Sequence, residues 1–206
     1  MPGIDLKTLL SRESTAIDEV ASLLDAATPD ERVNALFALD RSGQRALFKM
    51  AETSTPLTLN DFVPSDRAPG APVRHRGRNT LPFTARHKLF KKCFCRPDDG
   101  TARLFGYNDA PSRGLVGPGY FVAVPTATNP EWEARGAIVV DYFQVPDGKV
   151  ADGWPAIVPN SKGLQRFVYH RTRDFMRRVS KLVTIGAAFR SEKALDHYFV
   201  LVRDEV

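Results

Sequence analysis

Apolar positions in the first sixty residues recur with helical spacing. Leu6, Leu9, Leu10, Ile17, Val20, Leu23 and Leu24 fall on one face of a 3.6-residue period and predict one amphipathic helix. The stretch TPDERVNALFAL carries a stronger local signal. Thr28 can cap, Pro29 fits the first helical position, and Glu31 completes a capping box ahead of Val33, Leu36 and Phe37. A third helix is predicted in DRSGQRALFKMAE, restarting after Gly43 and burying Ala46 and Leu47 with Met50 or Phe48. Helices this short need a packing partner, because nucleation is costly and their own hydrogen bonds are few.

The pattern changes at TSTPLTLNDFVPSDRAPGAPV, where Pro56, Pro64, Pro69 and Pro72 with Gly70 mark a connector. A boundary near residue 65 divides the chain into a helical N-terminal unit (1–65) and a stretch (66–206) holding a basic connector and a β domain, separable or continuous. Beyond the boundary, TARLFGYN, GYFVAVPT, GAIVVDYFQV, LQRFVYH, KLVTIGAAFR and LDHYFVLVRD are short, aromatic and β-branched, and turn residues bound most of them. They predict six antiparallel strands. The last two form a closing hairpin around SEKA, while RTRDFMRRVS reads as a helical turn or more between strands. The expected class is α+β, with the sheet either curling into a partly closed barrel or accepting the helices as a lid. In GWPAIVPN, Trp154 is expected to pack from an ordered loop over the end of the sheet.

Composition narrows the class without naming a function. A chain of 206 residues with 43% hydrophobic content is long and apolar enough to form a core. No run of about eighteen apolar residues occurs, and acidic residues punctuate the first 24, so neither a membrane span nor a secretory signal is expected and the cytoplasm is the default location. Cys93 and Cys95 are the only cysteines and lie two apart, a spacing that rarely permits a disulfide; a reducing compartment fits.

The net charge of +5 is unevenly spread. Residues 1–66 are acidic overall, whereas 67–96 hold nine Lys or Arg and no Asp or Glu. Within that window, HKLFKKCFCR places Leu89, Phe90, Cys93 and Phe94 at helix-like intervals, which predicts a buried stripe with Lys88, Lys91 and Lys92 on the solvated side. The same cations, interleaved with aromatic rings, suit a nucleic-acid surface made by Arg86, Lys88, Lys91 and Lys92 together with Arg171, Arg173, Arg177 and Arg178. A zinc site would draw on Cys93, Cys95, His87 and His75, but one Cys-x-Cys with no second pair falls short of a structural set, and no metal or cofactor is assigned. If residues 93–95 are extended, both thiols share one face as small core residues.

Other candidates are weaker. Gly114, Gly117 and Gly119 precede a strand instead of a helix, so they read as a hairpin loop and not a phosphate cradle. Ser112, Ser161, Ser180, His170, His197 and Asp141 fall into no hydrolase motif. Aromatic and polar residues do gather on the expected strands, and Tyr120, Tyr142, His170 and His197 are the candidate ligand-binding residues. The function expected is therefore non-catalytic binding of a small, largely apolar molecule in the concavity of the sheet. Nucleic-acid binding is the alternative and an enzyme of unidentified reaction the third reading.

Overall fold

Eight antiparallel strands in simple sequence order close into a barrel. The computed structural model describes residues 4–12, 14–82 and 88–205. The strands are β1 (Val73–Asn79), β2 (Leu89–Cys95), β3 (Leu104–Asp109), β4 (Phe121–Pro125), β5 (Ile138–Asp141), β6 (Thr172–Arg178), β7 (Val183–Arg190) and β8 (Lys193–Arg203). Each pairs with its neighbour in sequence, and β1 pairs with β8 to complete the circle.

The expected α+β class with an antiparallel barrel therefore holds, but with eight strands instead of six. Three of the observed strands fall outside the six expected segments. Residues 73–79 fall in the expected connector and 89–95 in a stretch whose spacing fits a helix or a strand, and both are strands. RTRDFMRRVS contains β6 and not a helical turn. Conversely LQRFVYH is no strand, since Leu164–Phe167 is a 3₁₀ helix. The N-terminal reading also shifts: the first apolar stripe is broken into α1 (Leu6–Leu10) and α2 (Ile17–Ala26), followed by α3 (Pro29–Phe37) and α4 (Arg41–Met50). Thr28 and Glu31 make the reciprocal capping box. Asp40 caps α4 by accepting from the Gly43 amide, which starts that helix ahead of Gly43.

The helices neither plug nor cover the mouth of the barrel. Leu6, Leu9, Ile17, Val20, Leu24, Leu36 and Leu47 bury themselves with Val183, Ile185, Val200 and Val202, the outward residues of β7 and β8. Buried Arg32 ties α2 to this arrangement by donating to the Leu24 and Ala27 carbonyls while pairing with Glu205. On the far side of the barrel, Val150, Ala151 and Trp154 lie over Cys93, Cys95, Phe105, Tyr107 and Tyr120. Both thiols thus share one buried outer face, and burial raises the pKa of each, that of Cys95 to about 11. His75 faces the opposite way, into the barrel, because its register partner is Lys92 while Cys93 pairs with Arg74.

Three glycines shape the interior. Gly77 pairs with Phe90, Gly106 with Phe121 and Gly186 with Phe199, each directly across the ladder. In all three the phenylalanine ring lies over its glycine, where a Cβ would collide with it. The missing side chains let rings lie along the wall instead of filling the lumen. Two short α-helical turns, α5 (Arg113–Val116) and α6 (Pro130–Glu133), sit in connections between strands.

One end of the barrel is filled by the chain that enters it. Leu57, Leu59, Phe62 and Val63 pack with Val73, Phe94, Leu104, Ile138, Val140 and Leu201. His75 closes this floor with Nε2 hydrogen-bonded to the Phe62 carbonyl at 3.0 Å. Its burial, with help from the nearby charges of Arg203 and Lys92, pushes its pKa down to about 4, so the ring is neutral and Nε2 is the protonated donor.

Replacing Gly106 with Ala is expected to cost about 1–3 kcal/mol through overpacking against Phe121, read by denaturant unfolding. The His75 ring contributes a separate pH dependence. Its folded pKa lies below the unfolded value of 6.5, so stability is fully present above about pH 6.5 and is lost as pH falls toward about 4. Relative to His75→Gln, the native protein is expected to lose up to about 3 kcal/mol across that window. Parallel stability curves for the two proteins would contradict the assignment.

Candidate functional site

Period-two alternation places Phe90, Lys92 and Phe94 of β2 inside the barrel and Leu89, Lys91 and Cys93 outside. Lys92 is 1% exposed and its ammonium sits inside the barrel, so the expectation that it lies on the solvated side is overturned. On β6 the same alternation turns Asp174 inward between Thr172 and Met176. Lys92 Nζ donates to the Tyr142 hydroxyl at 2.6 Å and to Asp174 Oδ2 at 3.3 Å. Asn108 Nδ2 donates to the same hydroxyl at 3.1 Å and to the Gly119 carbonyl at 3.0 Å, which orients the amide.

Rings complete the surroundings of the ammonium. Its Nζ lies 4.7 Å from the Phe121 centroid, 4.9 Å from Phe199 and 5.1 Å from Tyr142. Two of these three rings are ones laid along the wall by glycine. Such faces carry partial negative charge and partly replace lost hydration. Tyr142 also stacks on Tyr169, with centroids 5.2 Å apart.

Electrostatics draws the central pair toward neutrality. Burial lowers the Lys92 pKa, against the pull of Asp174, and burial raises that of Asp174, against the pull of Lys92. Burial likewise holds Tyr142 well above the usual phenol range, so it is a hydroxyl and not a phenolate. Burial thus opposes the charged form of each partner, while their contact favours it.

A cavity of about 540 Å³ lies over this cluster, with Lys92, Asn108, Tyr142 and Asp174 among its lining. Its walls are largely apolar, from Phe90, Val168, Tyr169, Ala188, Leu195 and Phe199. At the mouth, Leu115 is 75% and Phe167 63% exposed. His197 also lines the cavity, and its Nδ1 is buried without a partner. Burial lowers its pKa, favouring the neutral ring.

The four candidate ligand residues thus divide. Tyr142 and His197 line one cavity. Tyr120 does not: it lies on the outer face with Tyr107 and Trp154 and donates its hydroxyl to the Pro155 carbonyl. His170 sits in the turn before β6, outside the cavity lining. Lys92, Asn108 and Asp174 were missed as a group, because their partners come from strands 16 to 82 residues apart in sequence.

Among the described residues, the candidate nucleic-acid cations are not all on a free surface. Lys92 is inside, and Arg173 pairs with Asp141 and Glu192. Arg177 donates to the Phe48 and Ala134 carbonyls, while Arg178 grips Asp61 with both terminal nitrogens. Lys91 and Arg171 are exposed, Lys88 is half-buried, and Arg86 lies outside the described residues, as does His87. Among the described residues no three His, Cys, Asp or Glu side chains cluster as metal ligands, and no helix is long and apolar enough to cross a membrane. The chain matches no protein-family model, no curated protein and no solved structure.

The adjacent lysines are expected to differ sharply. Lys92→Met leaves the Asp174 carboxyl buried without its partner and should cost about 3–5 kcal/mol, whereas Lys92→Met combined with Asp174→Leu should recover most of the loss. Lys91→Gln should stay within about 0.5 kcal/mol of the native protein. Chemical denaturation of the three variants separates these outcomes; equal effects at 91 and 92 would place the buried face incorrectly.

Proposed function

We propose that the barrel binds a small, largely apolar molecule whose leading end carries one polar group. The supporting observation is the cavity itself: apolar walls, a mouth rimmed by exposed Leu115 and Phe167, and a floor where Lys92, Tyr142, Asn108 and Asp174 converge. Its volume of about 540 Å³ falls inside the range of roughly 300–1,000 Å³ usual for small-molecule sites. Eight strands also make a barrel of the size that holds one small ligand. The unpartnered Nδ1 of His197 supplies a further polar group inside the walls.

Binding in this mode relies on apolar contact and on directed hydrogen bonds. It does not rely on phosphate neutralisation, and Arg173, Arg177 and Arg178 are already committed to internal partners. Nucleic-acid binding, the alternative reading, would release counterions and weaken steeply with salt.

The test is titration with the neutral fluorescent probe N-phenyl-1-naphthylamine. Saturable binding with little salt dependence is expected. Ala188→Trp, which places a large ring in the cavity wall, should weaken it at least about tenfold, corresponding to about 1.4 kcal/mol. Lys91→Gln with Arg171→Gln should leave it unchanged. Non-saturable uptake, or indifference to the Ala188 variant, would defeat the proposal. A salt-steep affinity for oligonucleotides that is lost in the double surface variant would favour the alternative.

A further inference from the structure

We infer that Lys92 is a covalent site for apolar aldehydes or ketones, capturing their carbonyl carbon as an imine within the barrel. This rests on the cavity-binding reading above and gives its polar leading end a chemical identity. A lysine that served only to neutralise Asp174 would have no need of a cavity, whereas here the pair forms part of the cavity lining. The groups that condensation requires also surround the nitrogen: a carboxyl at 3.3 Å and a hydroxyl at 2.6 Å.

The steps balance without another reagent. Lys92 begins as an ammonium and passes a proton to Asp174, which exposes the nitrogen lone pair. That pair attacks the carbonyl carbon as the C=O π pair moves to oxygen, and the oxygen takes a proton from the cluster. The nitrogen then gives a second proton to Asp174, which passes it to the hydroxyl of the resulting carbinolamine, and water leaves as the C=N bond forms. In total, an ammonium and a carbonyl give a protonated imine and one water. The positive charge is conserved, so Asp174 remains its counter-ion before and after.

Each neighbour has a definable part. Asp174 receives and returns the proton, consistent with burial bringing carboxyl and amine closer to equal basicity. Tyr142, kept as a hydroxyl, lies beside both and can hydrogen-bond the carbonyl oxygen as charge develops there. The Phe121 and Phe199 rings stabilise a cation on nitrogen in either form and limit water near the imine. The apolar walls select a hydrophobic carbonyl compound over a hydrated or sugar-like one.

The experiment uses cinnamaldehyde as probe, followed by borohydride reduction and peptide mass mapping, with cinnamyl alcohol as a matched molecule that cannot condense. A reduced adduct concentrated at Lys92, with a red-shifted absorbance before reduction, is the expected result. Lys92→Arg keeps the charge beside Asp174 but cannot form the imine, and should abolish both signals. Lys92→Met with Asp174→Leu supplies a second amine-free protein should the arginine not fit. Asp174→Asn should lower the yield at Lys92 at least about tenfold and remove the red shift by taking away the counter-ion.

Labelling only of exposed lysines such as Lys91, while cinnamyl alcohol still competes with N-phenyl-1-naphthylamine for the cavity, would overturn the imine and leave the binding proposal intact. Absence of saturable probe binding, together with labelling only of exposed lysines, would overturn the binding proposal and this inference together.

Discussion

An ammonium and a carboxylate facing each other across a barrel lumen impose the tightest demand in this molecule. Removing either ion from water carries a penalty of several kcal/mol, which their mutual attraction offsets only with good geometry and further hydrogen bonds. The wall supplies those conditions. Gly106 and Gly186 let Phe121 and Phe199 lie flat enough to face Lys92, and Tyr142, oriented by Asn108, accepts from its nitrogen. Strand register, glycine placement and the polar cluster are thus one arrangement. A one-residue slip of β2 would turn Lys92 out and Lys91 or Cys93 in.

Much of the framework is written locally, which is why it is legible in the chain. The Thr28 and Glu31 capping box acts within four residues, and the closing hairpin is announced by alternation on both arms of a two-residue turn. The turn itself is less conventional, since Ser191 and Glu192 both take positive φ without glycine. By contrast β2 misleads a periodicity argument. LFKKCFC fits a helical stripe through Leu89, Phe90, Cys93 and Phe94, and equally a strand in which Phe90, Lys92 and Phe94 face inward. Seven residues cannot discriminate the two periods, and tertiary pairing with β1 and β3 decides.

The site is less legible for a related reason. In RTRDFMRRVS, Asp174 stands alone among basic residues, and in LFKKCFC a lysine interrupts two phenylalanines two positions away on either side. Each is an odd residue on an inward face, but only barrel closure brings the two together. Tyr142, just past β5, and His197 on β8 are legible as aromatic or polar residues of the wall. Tyr120 points away from the cavity because it precedes β4, a strand buried on both faces: inward residues meet the lumen, and outward ones, with Tyr120, meet the segment carrying Trp154. Burial on both sides erases the alternation that would have shown which way it points. The high pI of 9.4 misleads similarly, since cations at 173, 177 and 178 act as internal staples.

The floor made by Leu57, Leu59, Phe62 and Val63 turns the barrel into a vessel with one neck among the described residues. Passage through a single neck is first in, last out, and departure retraces arrival. For a molecule bound as proposed, Leu115 and Phe167 at the rim would act on arrival and departure alike, scaling both rates while leaving their ratio unchanged. Lys92 and its neighbours would be met only after the neck is passed, so they would lengthen residence with little influence on the rate of capture. On that proposal, speed and selectivity would be assigned to different ends of the same eight strands.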